Sequence, residues 1–185
     1  YFLLYKPKGV VTTRRDPEGR TTVMDLVPSG AGLFPVGRLD VTTEGVIVVT
    51  HDGDLAQRLS HPRYEVPRVY HAKVRAVPDA ATLARLRAGV RVDGEKLSAD
   101  RVRVLEAEHN AWLELTLHEG RKHEVKRLLE AVGHPVSKLR RVALGRSFTS
   151  GLPLTIVSPT NVRSLVARSL RSGKSNRTGV STMNV

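Results

Sequence analysis

Val46-Ile47-Val48-Val49 is an unbroken run of β-branched residues, and it constrains the fold more than any other stretch of the chain. Such side chains are stiff at χ1 and fit a pleated, buried surface, so the run reads as a core strand. Directly ahead of it stand Gly37-Arg38-Leu39-Asp40 and Val41-Thr42-Thr43-Glu44-Gly45. An arginine and a carboxylate are therefore held on a tight, glycine-flanked loop against the core. Catalytic side chains concentrate on loops braced by a rigid sheet. In a strongly basic chain, an acid placed there raises the possibility that Asp40 is a nucleophile acting on a polyanion.

The charge supports that direction. The 185 residues carry a formal +12, and 40 % of them are hydrophobic. That is enough apolar material for one domain or two small subdomains around a substantial core. The cationic surplus favours nucleic acid as partner, with anionic membrane second. No apolar run approaches the roughly 20 residues that span a bilayer, and the N-terminus is unlike a signal peptide. Cysteine is absent, which excludes disulfides and thiolate chemistry and is compatible with a cytoplasmic location.

Short strands and helices alternate along the chain. Residues 1 to 5 and 9 to 12 read as strands, broken at Lys6-Pro7-Lys8, and residues 46 to 50 as a buried strand. Asp54 is expected to cap a short helix bearing Leu55 and Leu59. In 69 to 74, Tyr70, Ala72 and Val74 share one strand face, with His71 and Lys73 on the other. Asp79 caps a helix running to about Ala88, before Gly89. Residues 101 to 106 and 111 to 117 form a hairpin around Glu108-His109-Asn110. Val125, Leu128, Leu129 and Val132 predict a helix over 122 to 132 ending at Gly133. A strand from 136 to 144 and a helix from 160 to 170 follow. Residues 172 to 185, rich in Ser, Thr, Gly and Asn with Lys174 and Arg177, read as a disordered basic tail. Strands joined by both hairpins and helices indicate an α+β fold with a mixed sheet.

Each candidate residue has a plain structural reading beside the functional one. Arg38 and Asp40 could form a salt-bridged turn, or Asp40 and Glu44 a hydrolase pair if both faced one cleft. Residues 119 to 146 hold eight Lys or Arg against three Glu, starting with Glu119-Gly120-Arg121-Lys122-His123-Glu124-Val125-Lys126-Arg127. Cations in a helix's first turn oppose the macrodipole, which suggests an anion-binding surface rather than a solvated face. Tyr70 alone is most simply a core tyrosine. The histidines lack ligand spacing, so no metal is expected. Lys6-Pro7-Lys8-Gly9 is a basic turn without a Walker pattern.

Six segments in order carry a more specific signal. They are Lys6-Pro7-Lys8-Gly9, Gly37-Arg38-Leu39-Asp40, the stretch Gly45 to Leu55, the Tyr70 strand, Glu119-Gly120-Arg121-Lys122-His123, and Lys138-Leu139-Arg140-Arg141-Val142. Over about residues 1 to 160 the chain resembles the ribosomal RNA pseudouridine synthases of the RsuA/RluB/RluE/RluF group. His61-Pro62-Arg63-Tyr64-Glu65-Val66 is most similar to the large-subunit members, which implies 23S rRNA. The resemblance implies a catalytic domain over residues 1–171, with a largely antiparallel mixed sheet, flanking helices and a central basic cleft.

The resemblance also implies roles. Asp40 matches the nucleophile, Tyr70 the tyrosine that stacks on the target base, and Lys126 the basic residue paired with the aspartate, with Arg127 as the alternative. Val125 matches the aliphatic residue that packs on the base, and Arg38 the arginine that fills the gap left by the extruded nucleotide. Lys6, Lys8, Arg121, Lys122, Arg127, Arg140 and Arg141 are expected to contact RNA. Glu124 stands where glutamine is more usual, and Lys126 where arginine is. Lysine offers a point charge rather than a bidentate fork. The implied enzyme is a cytoplasmic monomer that needs no cofactor or metal. Many members carry an S4 RNA-binding module ahead of this domain. Because the chain begins almost at Lys6, that module is expected to be absent, in a natural short form or a truncated piece.

The physical logic agrees. A uridine in structured RNA must be flipped before chemistry reaches it, and a cationic surface supplies backbone affinity. A single carboxylate suffices for an isomerisation, attacking base or ribose or promoting elimination at the sugar. An inactive RNA-binding or ribosome-assembly factor on the same fold is the alternative, and a base-excising glycosylase comes third.

Overall fold

The computed structural model describes residues 1–30, 32–145 and 155–157. In chain order the elements are β1 (Phe2–Lys6), β2 (Phe34–Val36), β3 (Glu44–Thr50), α1 (Gly53–Ser60), β4 (Arg68–Arg75), α2 (Ala80–Ala88), β5 (Val90–Val92), β6 (Glu95–Leu97), β7 (Arg101–Ala107), β8 (Asn110–Leu117), α3 (Glu124–Glu130), β9 (Val136–Leu144) and β10 (Thr155–Val157). The described residues divide into two compact units, one of residues 1–60 with 155–157 and one of residues 61–145.

In the first unit β3 lies antiparallel to β1, with Leu4 opposite Ile47 and Lys6 opposite Gly45. β2 pairs antiparallel with the later half of β3, and β10 runs parallel to β1. Ile47, Val48 and Val49 are buried, as the β-branched run predicts, with Leu4, Val23, Leu26 and Leu59 also in the core. The strand starts two residues earlier than expected, at Glu44. The cap of α1 is Asp52 rather than Asp54: its carboxylate accepts from the Leu55 amide at 2.9 Å. Ala56 and Leu59 are the buried residues of that helix.

Residues 9 to 12 do not form a strand. Val11 makes one isolated bridge to Thr22. The Gly9 amide is committed to the Val41 carbonyl, which takes it out of any ladder, and the Thr12 hydroxyl ties the same segment to Leu39.

The second unit is an antiparallel sheet in the order β9-β4-β8-β7, with α2 and α3 against one face and a separate β5–β6 hairpin. Ala72 and Val74 of β4, Leu113 and Leu115 of β8, and Leu139 of β9 meet Leu86, Leu128 and Leu129 from the helices. The expected cap and stop of α2 are present: Asp79 accepts from the Thr82 amide, and Gly89 takes φ +95°. The hairpin around Glu108 to Asn110 forms where the alternation places it.

α3 is shorter than the predicted 122 to 132. His123 adopts a left-handed φ of 54° and holds Lys122 outside the helix. The first turn therefore carries Glu124, whose carboxylate accepts from the Arg121 amide at 3.2 Å. An acid at the helix start is what the macrodipole favours, and the expected cationic first turn is reduced, with Arg121 and Lys122 outside the helix and Lys126 within it. The helix expected at 160 to 170 and the tail at 172 to 185 fall outside the described residues. Strands β2, β5, β6 and β10 had no clear sequence signal, each being only three residues long. The α+β class holds, with largely antiparallel pairing made mixed by β1 and β10.

Candidate active site

In the first unit, the Asp40 loop is pinned through its main chain. The Thr12 hydroxyl donates to the Leu39 carbonyl at 2.8 Å and accepts from the Leu39 amide at 3.3 Å. The Gly9 amide donates to the Val41 carbonyl at 2.7 Å, and Thr43 closes the turn onto the Asp40 carbonyl at 2.9 Å. Leu39 is buried and acts as the plug of the loop. Arg38 is exposed and Asp40 half-buried on either side of it. Gly37 sits at φ +70°, a left-handed conformation in which a side chain would be strained.

Lys6 is fully buried, so it cannot reach an RNA backbone as the sequence suggested. Its ammonium donates to the Val10 carbonyl at 2.8 Å and the Pro7 carbonyl at 3.0 Å. Burial pulls its pKa from the usual 10.5 down to about 8, while the negative charges of Asp40 and Glu44 act to raise it. A cation has thus been drawn into the core beneath the Asp40 loop. Lys8, two residues on, is exposed and remains available to a polyanion.

The Lys6 shift predicts a pH effect. Between pH 8 and 10.5 the folded chain releases a proton that the unfolded chain still holds, so stability rises with pH across that window. In urea titrations, wild type should gain stability relative to Lys6→Met from pH 8 upward. A difference that stays flat from pH 7.5 to 10 would reject the shifted amine.

In the second unit, Tyr70 is half-buried against the core. Its strand neighbours are Leu115 on β8 and Arg141 on β9. Arg141 is itself buried, as is Arg68, two residues before Tyr70 on the same strand. The Arg68 guanidinium donates to the carbonyls of His118 at 2.6 Å, Glu119 at 3.2 Å and Val66 at 3.2 Å. It also lies under Gly120, where a Cβ would stand 3.5 Å from the guanidinium carbon. Burial lowers the Arg68 pKa, with the charges of Tyr70, Arg141 and Glu124 also acting on it. Arg68 therefore clamps the segment that leads into α3. Sequence reasoning missed it, although strand alternation puts it on the Tyr70 face.

The cations around α3 divide by partner. Arg127 is held by Glu95 at 3.0 Å, by Asp93 at 3.1 Å and by the Val92 carbonyl at 3.3 Å, all on the β5–β6 hairpin. That occupies it as an alternative partner for Asp40 and as a free RNA contact. Arg121 pairs with Glu119 and, at 3.6 Å, with Glu95. Lys122 is exposed, and Lys126 is half-buried in the first turn of α3. Val125 is buried in the core cluster, so its side chain serves packing in this structure. Burial raises the Glu124 carboxyl pKa, and the Arg121 amide bond offsets part of that.

Arg140 and Arg141 separate to opposite faces. Arg141 shares the helix-covered side with Leu139, whereas Arg140 lies over the Trp112 ring at 4.8 Å on the other. The pair is therefore not one contiguous phosphate clamp.

A family model described as RNA pseudouridylate synthase matches residues 1–131. The chain is 46 % identical over 153 residues to the ribosomal large subunit pseudouridine synthase B of Escherichia coli K12, covering 80 % of this chain and 53 % of that protein. It is 39 % identical over 145 residues to the Bacillus subtilis protein of the same name, covering 76 % and 59 %. The chain thus spans little more than half the length of these relatives. A crystal structure of a pseudouridylate synthase superposes with a TM-score of 0.66 at 27 % identity, over 78 % of this chain and 64 % of that one. An H/ACA ribonucleoprotein bound to a substrate RNA containing 2′-deoxyuridine shares the fold, at a TM-score of 0.61 and 16 % identity over 91 % of this chain and 54 % of that one.

Proposed function

Since the chain belongs to the RNA pseudouridylate synthase family, we propose that it isomerises a uridine of ribosomal RNA, in the large subunit, to pseudouridine. The observation that carries the reading is the Asp40 loop: a half-buried carboxylate on a turn braced at its main chain by Thr12, Gly9 and Thr43. A loop braced in this way holds the carboxylate at a fixed place, which is the positioning that catalysis needs. The names of the relatives point to the rRNA of the large subunit.

The reaction conserves atoms. The N1–C1′ bond breaks, the ring turns, C5 bonds to C1′, C5 gives up its proton and N1 gains one. Asp40 acts at the base or the sugar to start this sequence. Tyr70 stacks on the uracil and keeps it from leaving while detached. Lys126 supplies positive charge to the reaction. Arg38, exposed beside the carboxylate, fills the stack vacated by the flipped nucleotide. Lys8, Arg121, Lys122 and Arg140 contribute to the cationic surface that the RNA backbone meets. The enzyme works as a cytoplasmic monomer without cofactor or metal. No described helix is long and apolar enough to cross a membrane.

Release of tritium from 5-tritiated uridine in rRNA tests the reading. Free uracil as product would indicate a glycosylase, and binding without tritium release an inactive RNA-binding factor. Tyr70 offers a second check. Tyr70→Phe should bind RNA within about twofold of wild type. Tyr70→Leu should lose turnover, with binding weakened by roughly the 1–3 kcal/mol of one base stack. A Tyr70→Leu protein that melts far lower yet is fully active when folded would make Tyr70 a core residue only.

A further inference from the structure

The sheet of the second unit has a face turned away from α2 and α3, the one on which Arg140 lies over Trp112. Strand alternation puts Lys73 and Arg75 of β4, Arg101 and Arg103 of β7, Lys138 and Arg140 of β9, and Trp112 and Glu114 of β8 on it. Glu114 is already engaged, by Arg103 at 3.0 Å and by His71 at 3.1 Å. Arg140 covers the Trp112 ring and approaches His71 at 3.4 Å, and its buried Nε has no acceptor among the described residues. In the next row Lys73 stands directly opposite Lys138 across β4 and β9, with Trp112 on the other side of Lys73. Like charges directly opposite each other on adjacent strands are destabilising. The arrangement makes sense if an anion is shared between them.

We propose that this face is a second RNA-docking surface, which holds the phosphate backbone of a base-paired rRNA stem away from the target nucleotide. This rests on RNA being the substrate, as argued above. Four strands span about 14 Å at the usual strand spacing, wide enough for several consecutive phosphates of one strand. The occupant is paired rather than single-stranded RNA because Trp112, the chain's one tryptophan, is half-buried and capped by Arg140 and so offers no open ring to a base. Paired RNA is recognised mostly by shape and backbone.

The Lys73→Gln/Lys138→Gln double variant tests this. Lys138 is exposed and Lys73 half-buried, neither is part of the core, and losing their repulsion should leave the melting temperature equal or higher. Against a stem-containing rRNA fragment, the slope of log affinity on log salt should become shallower by about 2, with roughly tenfold weaker binding at 0.15 M salt. Binding of a single-stranded target oligonucleotide should be unchanged. Saturating wild type with the stem should change Trp112 emission, and the single strand should not. An unaltered salt slope, an equal loss on both RNAs, or constant Trp112 emission at saturation would each overturn the proposal. Because these readouts are of binding, absence of pseudouridine formation would refute the catalytic reading and leave this result to stand or fall separately.

Discussion

Asp40→Asn is expected to lower pseudouridine formation by at least about ten-thousand-fold, the scale of removing a reacting group, while RNA binding stays within about twofold. Asparagine keeps the shape and removes the charge. The main-chain bonds that brace the loop at Leu39, Val41 and the Asp40 carbonyl are the same with either side chain, so the loop should survive the change. The folded protein should register the lost charge at Lys6, whose amine would titrate still lower with Glu44 as the remaining negative neighbour that raises it. Tritium release and RNA binding measured side by side decide the matter. Turnover above a tenth of wild type would remove Asp40 from the chemistry. Equal loss of binding and turnover would make its role structural.

Arg68→Met is expected to cost about 3 kcal/mol or more of folding stability. It keeps the aliphatic stem but strips donors from the part-buried carbonyls of Val66, His118 and Glu119, where each lost bond to a charged donor is worth about 1.5–3 kcal/mol before water replaces it. It also removes a positive charge near the buried Glu124 carboxyl, whose pKa should rise further. Arg68→Lys should recover only part of the loss, since one ammonium cannot reproduce the planar fork. Urea unfolding of the three proteins measures this. A loss under about 1 kcal/mol in Arg68→Met would show that the segment before α3 is held by other contacts.

The fold was legible where a local period sufficed. The burial of Ile47 to Val49, the Asp79 cap, the Gly89 stop and the hairpin from 101 to 117 all follow from residues a few positions apart. α3 was overextended because an apolar i, i+3, i+4 pattern does not reveal a left-handed His123. The three-residue strands escaped because their pairing partners, not their own composition, make them strands.

Of the candidate site, the ordered motifs and the place of Asp40 on a glycine-flanked loop were determined by sequence alone, as was membership of the family. Tertiary structure decided which cations are free to meet RNA. Lys6 and Lys8 are alike in sequence, yet one is buried under the Asp40 loop and the other exposed. Arg127 is claimed by a hairpin more than thirty residues earlier, and Arg68 by carbonyls fifty residues later. Arg140 and Arg141 are divided by which sheet face the helices cover. A side chain's charge is written in its own residue. Its desolvation and its partners are set by what packs on it from elsewhere in the chain, and those decide whether that charge braces the fold or faces a ligand.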